Sequence, residues 1–371
     1  MCHIVLLMEY PTLNGGERST LAFCEHLQTR GFHFSAIAPD GNPLTDALGQ
    51  HNIRHIPFSF NGGLGQRLPI SLIRESLATT LRDTGADALH AISVSTSRIA
   101  GPVANELRIP SIGHLRDIIR LSRQAINDIN LNSVILAVSK ATLTFHRAGG
   151  IHPTHSHVLY NGINLNLYRP KRPTGFIHRE LDLPPGRKFI GAVGQIALRK
   201  GLDTLIHAFK EIASHNEDYH LLIAGQRHSQ KNETLQHEIS LKTYIHQNGL
   251  SGRIHFLGFR DNMHDFYPEL SLLTHCAHQE PLGRVLLEAA ACGIPIIATA
   301  VGGTQEIFPD SSFAVLTQPG DRTELVTEIV RLISTPEQAV HLAERGRKKV
   351  AKTFDICIHA EKLAQHYHAL F

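Results

Sequence analysis

Three carboxylates, Glu280, Glu288 and Glu306, punctuate one stretch of the chain, E-P-L-G-R-V-L-L-E-A-A-A-C-G-I-P-I-I-A-T-A-V-G-G-T-Q-E. Pro281 suits the first position of a helix, where its missing N–H costs nothing. Residues 282–292 are rich in Leu and Ala, which are strong helix formers. Gly293, with Pro295 just beyond it, stops that helix. Residues 294–299 read as a short buried strand and Gly302-Gly303 as a turn. Glu280 is an unusual choice at a helix mouth, where Ser, Thr, Asp or Asn is preferred. On one reading it complements the positive end of the helix dipole. On the other, Gly283 and the open amides of the first turn form an anion site, and the carboxylates beside it accept hydrogen bonds from neutral hydroxyls. An anion joined to a polyol describes a sugar nucleotide.

A second loop carries related chemistry. Gly194-Gln195-Ile196-Ala197-Leu198-Arg199-Lys200-Gly201 follows a predicted strand and opens a helix. Lys200 is a compact charge placed to meet a phosphate; alone, it reads more readily as a surface lysine. Near the N-terminus, Asn14-Gly15-Gly16-Glu17 lets backbone approach a ligand closely, though its spacing is neither the dinucleotide fingerprint nor a G-K-[ST] loop. His152, His155 and His157 have metal-ligand spacing but lie in a polar loop without carboxylate support, which reads as a surface cluster. Paired carboxylates also invite a glycoside hydrolase reading. Eight residues of helix rise about 12 Å, whereas paired hydrolase carboxylates sit roughly 5 to 10 Å apart across one bond, so geometry argues against it.

The elements that must position these residues alternate. Strands are predicted at 3–8, 34–38, 53–58, 88–92, 110–114, 134–139 and 158–159, with helices at 19–30, 70–82 and 100–107 between them. The 70–82 helix mixes Arg74, Glu75 and Arg82 on its polar face, which suits a core-facing helix better than one lying on a membrane surface. The Pro- and Arg-rich segment 168–188 marks a domain junction. A second series follows: strand 189–193, loop 194–201, helix 202–212, strand 220–224, a polar and mostly helical 227–248, strands 254–257 and 270–274, the opening stretch, and helices from Arg322 and Pro336. Strands alternating with helices predict mostly parallel sheets.

The chain of 371 residues is long enough for two domains with separate cores. Its formal net charge of +3 is too small to argue for nucleic acid. The five cysteines, Cys2, Cys24, Cys276, Cys292 and Cys357, follow no zinc or disulfide spacing and read as buried free thiols of a reducing compartment. No leader peptide and no membrane-length apolar run is visible. A cytosolic, non-integral protein is expected.

These motifs together resemble the retaining glycosyltransferases of the large family-four group, typified by sucrose, trehalose, mannosyl-lipid and bacterial polysaccharide transferases. The family's E-x7-E pattern is met by Glu280 and Glu288, its K-G loop by Lys200-Gly201, and its G-G-x-x-E by Gly302, Gly303 and Glu306. Looser matches in the first half are G-G-E at Gly15 to Glu17, A-V-S at Ala137 to Ser139 and Y-N-G at Tyr160 to Gly162. The resemblance covers nearly the whole chain. It implies an α/β, GT-B architecture: two Rossmann-like parallel-sheet domains facing across a cleft. The first, acceptor-side domain would span 1–168 and the second, donor-binding domain 169–354, with a closing helix at 355–371 packing back on the first.

The resemblance also implies roles. Lys200 and the amides around Leu282, Gly283, Arg284 and Val285 would hold the donor diphosphate. Glu288 would bind ribose hydroxyls, Glu280 the transferred sugar, and Gly15 and Gly16 would close over the phosphates. His114 stands near the place of the family's sugar-contacting histidine; a structural role suits it equally. The family usually has Arg where Gln195 stands, so Arg199 or Arg284 would have to supply that charge, and Arg284 could instead pair with an acid. Residues 227–248 look lengthened relative to the family. The implied activity is transfer of a sugar from a nucleoside diphosphate sugar to a carbohydrate, lipid-linked or small-molecule acceptor, with no cofactor, no metal and no nucleic acid. Peripheral contact with the inner face of a membrane is compatible with it. A sugar-nucleotide epimerase of the same architecture and a non-catalytic sugar-nucleotide-binding subunit are the alternatives. Acceptor choice is assigned to 60–68 and 114–127, which carry no readable code.

Overall fold

The computed structural model describes residues 2–63 and 65–371. Leu64, within the 60–68 segment, lies outside the described residues, as does Met1. The chain divides into two compact units, Met1–Ile163 with Phe354–Phe371, and Asn164–Thr353.

The first unit is built on seven strands: β1 (Cys2–Leu7), β2 (Phe32–Ala38), β3 (Arg54–Pro57), β4 (Ala88–Ala91), β5 (Ser111–Leu115), β6 (Val134–Ala137) and β7 (Ser156–Val158). They lie in the order β3-β2-β1-β4-β5-β6-β7, and every pair is parallel. Such a sheet is covered on both faces, which is why its strands read as nearly continuous apolar runs. Alternate residues of β1 serve opposite cores. Ile4 and Leu6 join Phe23, Phe32 and Tyr367 on one face, while Val5 and Leu7 join Ile37, Leu77 and Leu89 on the other. The closing helix Ile356–His368 packs against the helix Gly15–Gln28.

The second unit repeats the plan with β8 (Lys188–Val193), β9 (Tyr219–Ala224), β10 (Ile254–Gly258), β11 (Leu272–His275), β12 (Ile296–Thr299) and β13 (Val315–Thr317). The order is β10-β9-β8-β11-β12-β13, again wholly parallel. In both sheets the strand order reverses direction beside the first strand of the series, between β1 and β4 and between β8 and β11. Loops at the carboxyl ends of strands flanking such a reversal are where open α/β sheets bind ligands.

Several helices begin earlier than their apolar periodicity suggests. The one expected at 19–30 starts at Gly15, because Glu17 accepts a hydrogen bond from the Asn14 amide at 3.0 Å and completes the first turn. The glycine loop of the sequence reading is therefore that turn. The one expected at 100–107 starts at Val94, where the Ser93 hydroxyl accepts from the Thr96 amide. The short polar helices Leu44–Gln50, Arg123–Asn130 and Lys140–Ala148 have too few apolar positions to show in the sequence. The cysteines are all free. Cys24, Cys276 and Cys292 are buried as expected, but Cys357, in the first turn of the closing helix, is exposed.

Candidate active site

The β8 strand ends at Val193, and the chain turns through Gly194 at φ +144° into a short 3-10 turn, Leu198–Lys200. Glycine is needed here twice over. A Cβ on Gly225, just past β9, would fall 1.9 Å from the Gly194 carbonyl oxygen. Gly201 adopts φ +60°, and a Cβ there would lie 2.0 Å from the carbonyl oxygen of Cys276, just past β11. The loop is thus pressed onto the end of β11, and the His278 amide donates to the Arg199 carbonyl at 2.8 Å. Lys200 is fixed beside the end of its neighbouring strand.

The residue waiting there is Glu280. Its Oε2 accepts from Lys200 Nζ at 2.6 Å and from His275 Nε2 at 2.9 Å. His275 is the last residue of β11, and Glu280 and His275 are both buried. Burial alone would raise the Glu280 pKa, but the Lys200 cation and the His275 hydrogen bond outweigh it and hold the carboxyl well below the usual carboxylate range. Burial, with Lys200 and Arg199 nearby, pushes the His275 pKa down despite Glu280, so the ring is neutral and donates through Nε2–H. The backbone of Glu280 is clasped by the glycine turn. The Gly303 amide donates to its carbonyl at 2.9 Å. A Cβ on Gly302 would lie 2.1 Å from that carbonyl oxygen, and one on Gly303 would lie 2.5 Å from the Pro281 carbonyl oxygen.

The helix after Glu280 runs Arg284–Ala291 rather than 282–292. Pro281 is not its first residue. Gly283 takes the N-cap at φ +104°, a conformation that ordinary residues avoid, and no side chain caps the helix. Glu280 is accordingly not a cap, and Leu282 and Gly283 precede the helix. The amides that open it belong to Arg284 and Val285, in the turn where a helix leaves its N–H groups without intrahelical acceptors.

Glu288 lies one turn further in and is equally buried. Tyr267 donates its hydroxyl to Oε2 at 2.8 Å, and Arg284 Nε donates to Oε1 at 2.7 Å. Arg284 therefore pairs with an acid, and the acid is buried. Burial opposes the Arg284 charge, yet Glu288 and Tyr168 beside it hold its pKa above the ordinary value. Two charge centres thus share the stretch: Lys200–Glu280–His275 at the sheet edge, and Tyr267–Glu288–Arg284 behind it. Glu306 sits in the short helix Thr304–Ile307 that follows the glycines.

In the first unit, Gly15 and Gly16 open the helix Gly15–Gln28. His114 was expected either near a transferred sugar or in a structural role. It lies within β5 and is fully buried. Its Nδ1 lies 3.3 Å from both His90 Nε2 and Arg116 NH2. The side chain that emerges at this strand end is Arg116. The 114–127 segment accordingly contributes a cation that its sequence did not mark. Among the described residues, no group of three or more His, Cys, Asp or Glu side chains is placed to hold a metal ion. His152 and His155 instead stack on each other at 5.2 Å.

Glu280, Lys200, Glu288 and their neighbouring glycines, all marked by their motifs, lie together in the second unit, joined by His275 and Tyr267, which no motif marks. A histidine closing an apolar strand has no signature of its own; the signal was its position five residues before Glu280.

Comparison with known proteins places the chain by family and fold. The model for glycosyl transferases group 1 matches residues 174–349, and that for glycosyltransferase family 4 matches residues 13–167. The chain is 26% identical over 215 residues to the lipopolysaccharide core biosynthesis mannosyltransferase LpsB of Rhizobium meliloti, a match covering 57% of this chain and 60% of that protein. It is 28% identical over 319 residues, 80% of each chain, to a GDP-mannose-dependent monoacylated alpha-(1-6)-phosphatidylinositol monomannoside mannosyltransferase of Corynebacterium glutamicum. Among solved structures, Anabaena HepE in complex with UDP-glucose superposes with a TM-score of 0.87 over the full length of both chains at 23% identity, which establishes likeness of fold. With both halves matched by complementary models and each unit built on the Rossmann strand order, the chain belongs to the group 1, family 4 glycosyltransferases and has the GT-B fold.

Proposed function

We propose that the protein transfers a sugar from a nucleoside diphosphate sugar to an acceptor hydroxyl, with retention of configuration at the anomeric carbon. The observation that carries this reading is the buried Glu280, held on one oxygen by Lys200 and His275 at the carboxyl ends of β8 and β11. A carboxylate with its charge secured in this way is a rigid hydrogen-bond acceptor for sugar hydroxyls. Lys200 and the opening amides of the helix Arg284–Ala291 would meet the diphosphate.

In the reaction, the bond between the anomeric carbon and the phosphate oxygen breaks, and a bond to the acceptor oxygen forms on the same face. The acceptor proton passes to the departing phosphate oxygen. The negative charge that develops there is stabilised by donors fixed before the reaction begins, so little reorganisation is needed. In this reading no metal ion and no protein nucleophile takes part. Glu288, with Tyr267 and Arg284, would face the nucleoside. Arg199, whose charge acts on His275, offers the compensation for Gln195.

Names of relatives direct the choice of substrates. The GDP-mannose-dependent enzyme and the UDP-glucose complex point to these two donors first. The lipopolysaccharide and phosphatidylinositol mannoside enzymes point to acceptors in polysaccharide or glycolipid assembly. No helix among the described residues is long and apolar enough to cross a membrane. The test is a panel of UDP-, GDP- and ADP-sugars assayed for nucleotide release, with and without glycolipid and oligosaccharide acceptors and with and without EDTA. Acceptor-dependent release that survives EDTA supports the reading. Nucleotide binding without turnover on any acceptor would favour a sugar-nucleotide-binding subunit, and isomerised sugar nucleotide would favour an epimerase.

A further inference from the structure

Arg116 stands two residues beyond His114, at the carboxyl edge of the first unit's sheet. Its NH1 donates to Asn161 Oδ1 at 2.9 Å, and its NH2 lies 3.3 Å from His114 Nδ1. Two anchored nitrogens fix the direction of the planar guanidinium, which a lysine in the same place would not do. Asn161 and His114 are both buried, so the anchors themselves do not move with solvent.

The tautomers follow from the chain of contacts. The Tyr367 hydroxyl lies 2.7 Å from His90 Nδ1, and His90 Nε2 lies 3.3 Å from His114 Nδ1. If Tyr367 donates to His90, His90 donates onward, and His114 Nδ1 is the acceptor that both His90 and Arg116 address. Burial and the Arg116 charge keep both histidines neutral. That leaves His114 Nε2 as a buried polar atom with no hydrogen-bond partner. The stem of Arg116 meanwhile lies along the first turn of the helix Gly15–Gln28, its Cδ 3.8 Å from where a Cβ on Gly16 would be. A guanidinium held in direction by two buried side chains thus lies against the first turn of a fourteen-residue helix, a turn capped by the buried Glu17.

We propose that Arg116, oriented by Asn161 and His114 against the Gly15–Gly16 turn, is a phosphoryl-binding residue of the first unit. Guanidinium geometry matches two phosphate oxygens at once. The inference rests on the glycosyltransferase reading for its purpose but not for its test. The phosphoryl group is that of the donor diphosphate or one carried by a phosphorylated acceptor, and the same chemistry serves both.

The test is calorimetric titration of the full chain with UDP, GDP and inorganic phosphate, for wild type, Arg116→Ala, Arg116→Gln and Arg116→Lys, each checked by thermal melting. Arg116→Ala is expected to weaken at least one of these probes tenfold or more, with Lys recovering part of the loss and Gln none. Loss toward UDP or GDP assigns the residue to the donor, and loss toward inorganic phosphate alone assigns it to the acceptor side. Affinities within twofold of wild type for every probe, in whichever of Ala and Gln melts normally, would overturn the proposal. Because no turnover is measured, failure of the transfer reading appears separately, as an inactive wild type that still binds through Arg116.

Discussion

At the scale of single residues, the candidate site is built on a buried ion pair. Lys200 and Glu280 have side chains only 13% and 9% exposed, so removing one leaves the other charged in a poorly solvated place. Lys200→Met is expected to cost about 3 to 5 kcal/mol of stability, read as a lower urea midpoint with an unchanged slope. The acid side of the pair has a definite sign. Glu280 titrates lower in the folded chain than unfolded, so its contribution is fully present above the ordinary carboxylate pKa and is lost only as pH falls through the depressed folded value. The sequence showed Glu280 and Lys200 because their motifs are local. It did not show His275, nor that Arg284 is held by Glu288, since those partnerships are made by packing of β11 and by the helix start.

At the scale of elements, glycine decides the site. Residues 281–283 read as a helical turn because Pro281 suits a first position, yet Gly283 at φ +104° moves the start to Arg284. The left-handed residue is invisible to composition, which registers only that a glycine is there. The turn at Gly302-Gly303 was legible as a turn, but its purpose was not: it admits the backbone of Glu280. Gly303→Ala, whose Cβ would lie 2.5 Å from the Pro281 carbonyl oxygen and from Leu282 Cα, is expected to cost about 2 kcal/mol or more and to lower nucleotide affinity. Gly252→Ala, with nothing within 4 Å of the added carbon, is expected to stay within about 0.5 kcal/mol of wild type. Thermal melting of the two variants side by side distinguishes a site-shaping glycine from an ordinary one.

At the scale of the whole molecule, the α/β alternation made the two parallel sheets legible. Hydrophobic strand runs and helix periodicity survive wherever both faces of a sheet are covered. What stayed hidden was the use of histidine. The chain carries 26 histidines, and several lie buried in the cores rather than on the surface. His359, buried and close to Arg116, is pushed down to about 4. His220, buried against His255, is likewise pushed down to about 4. His90 and His114 are held well below the usual imidazole value by burial. In each case the unfolded chain takes up a proton near pH 6.5 that the folded chain refuses. Stability is therefore expected to fall as pH drops from about 6.5 toward 4, well before Glu280 titrates. Melting temperatures at pH 7.5, 6, 5 and 4.5 check this, and a flat profile would show that these rings are not buried neutral.

The proposed role of Glu280 and Lys200 is in transfer from a nucleoside diphosphate sugar. Its most direct test is kcat/KM for the best donor and acceptor pair, measured for wild type, Glu280→Ala and Lys200→Ala under conditions where both variants melt well above the assay temperature. Each loss of a charge-assisted contact to the transition state is expected to cost about 2 to 4 kcal/mol, or roughly 30- to 1,000-fold in rate. Turnover within a few-fold of wild type in both variants would contradict these roles.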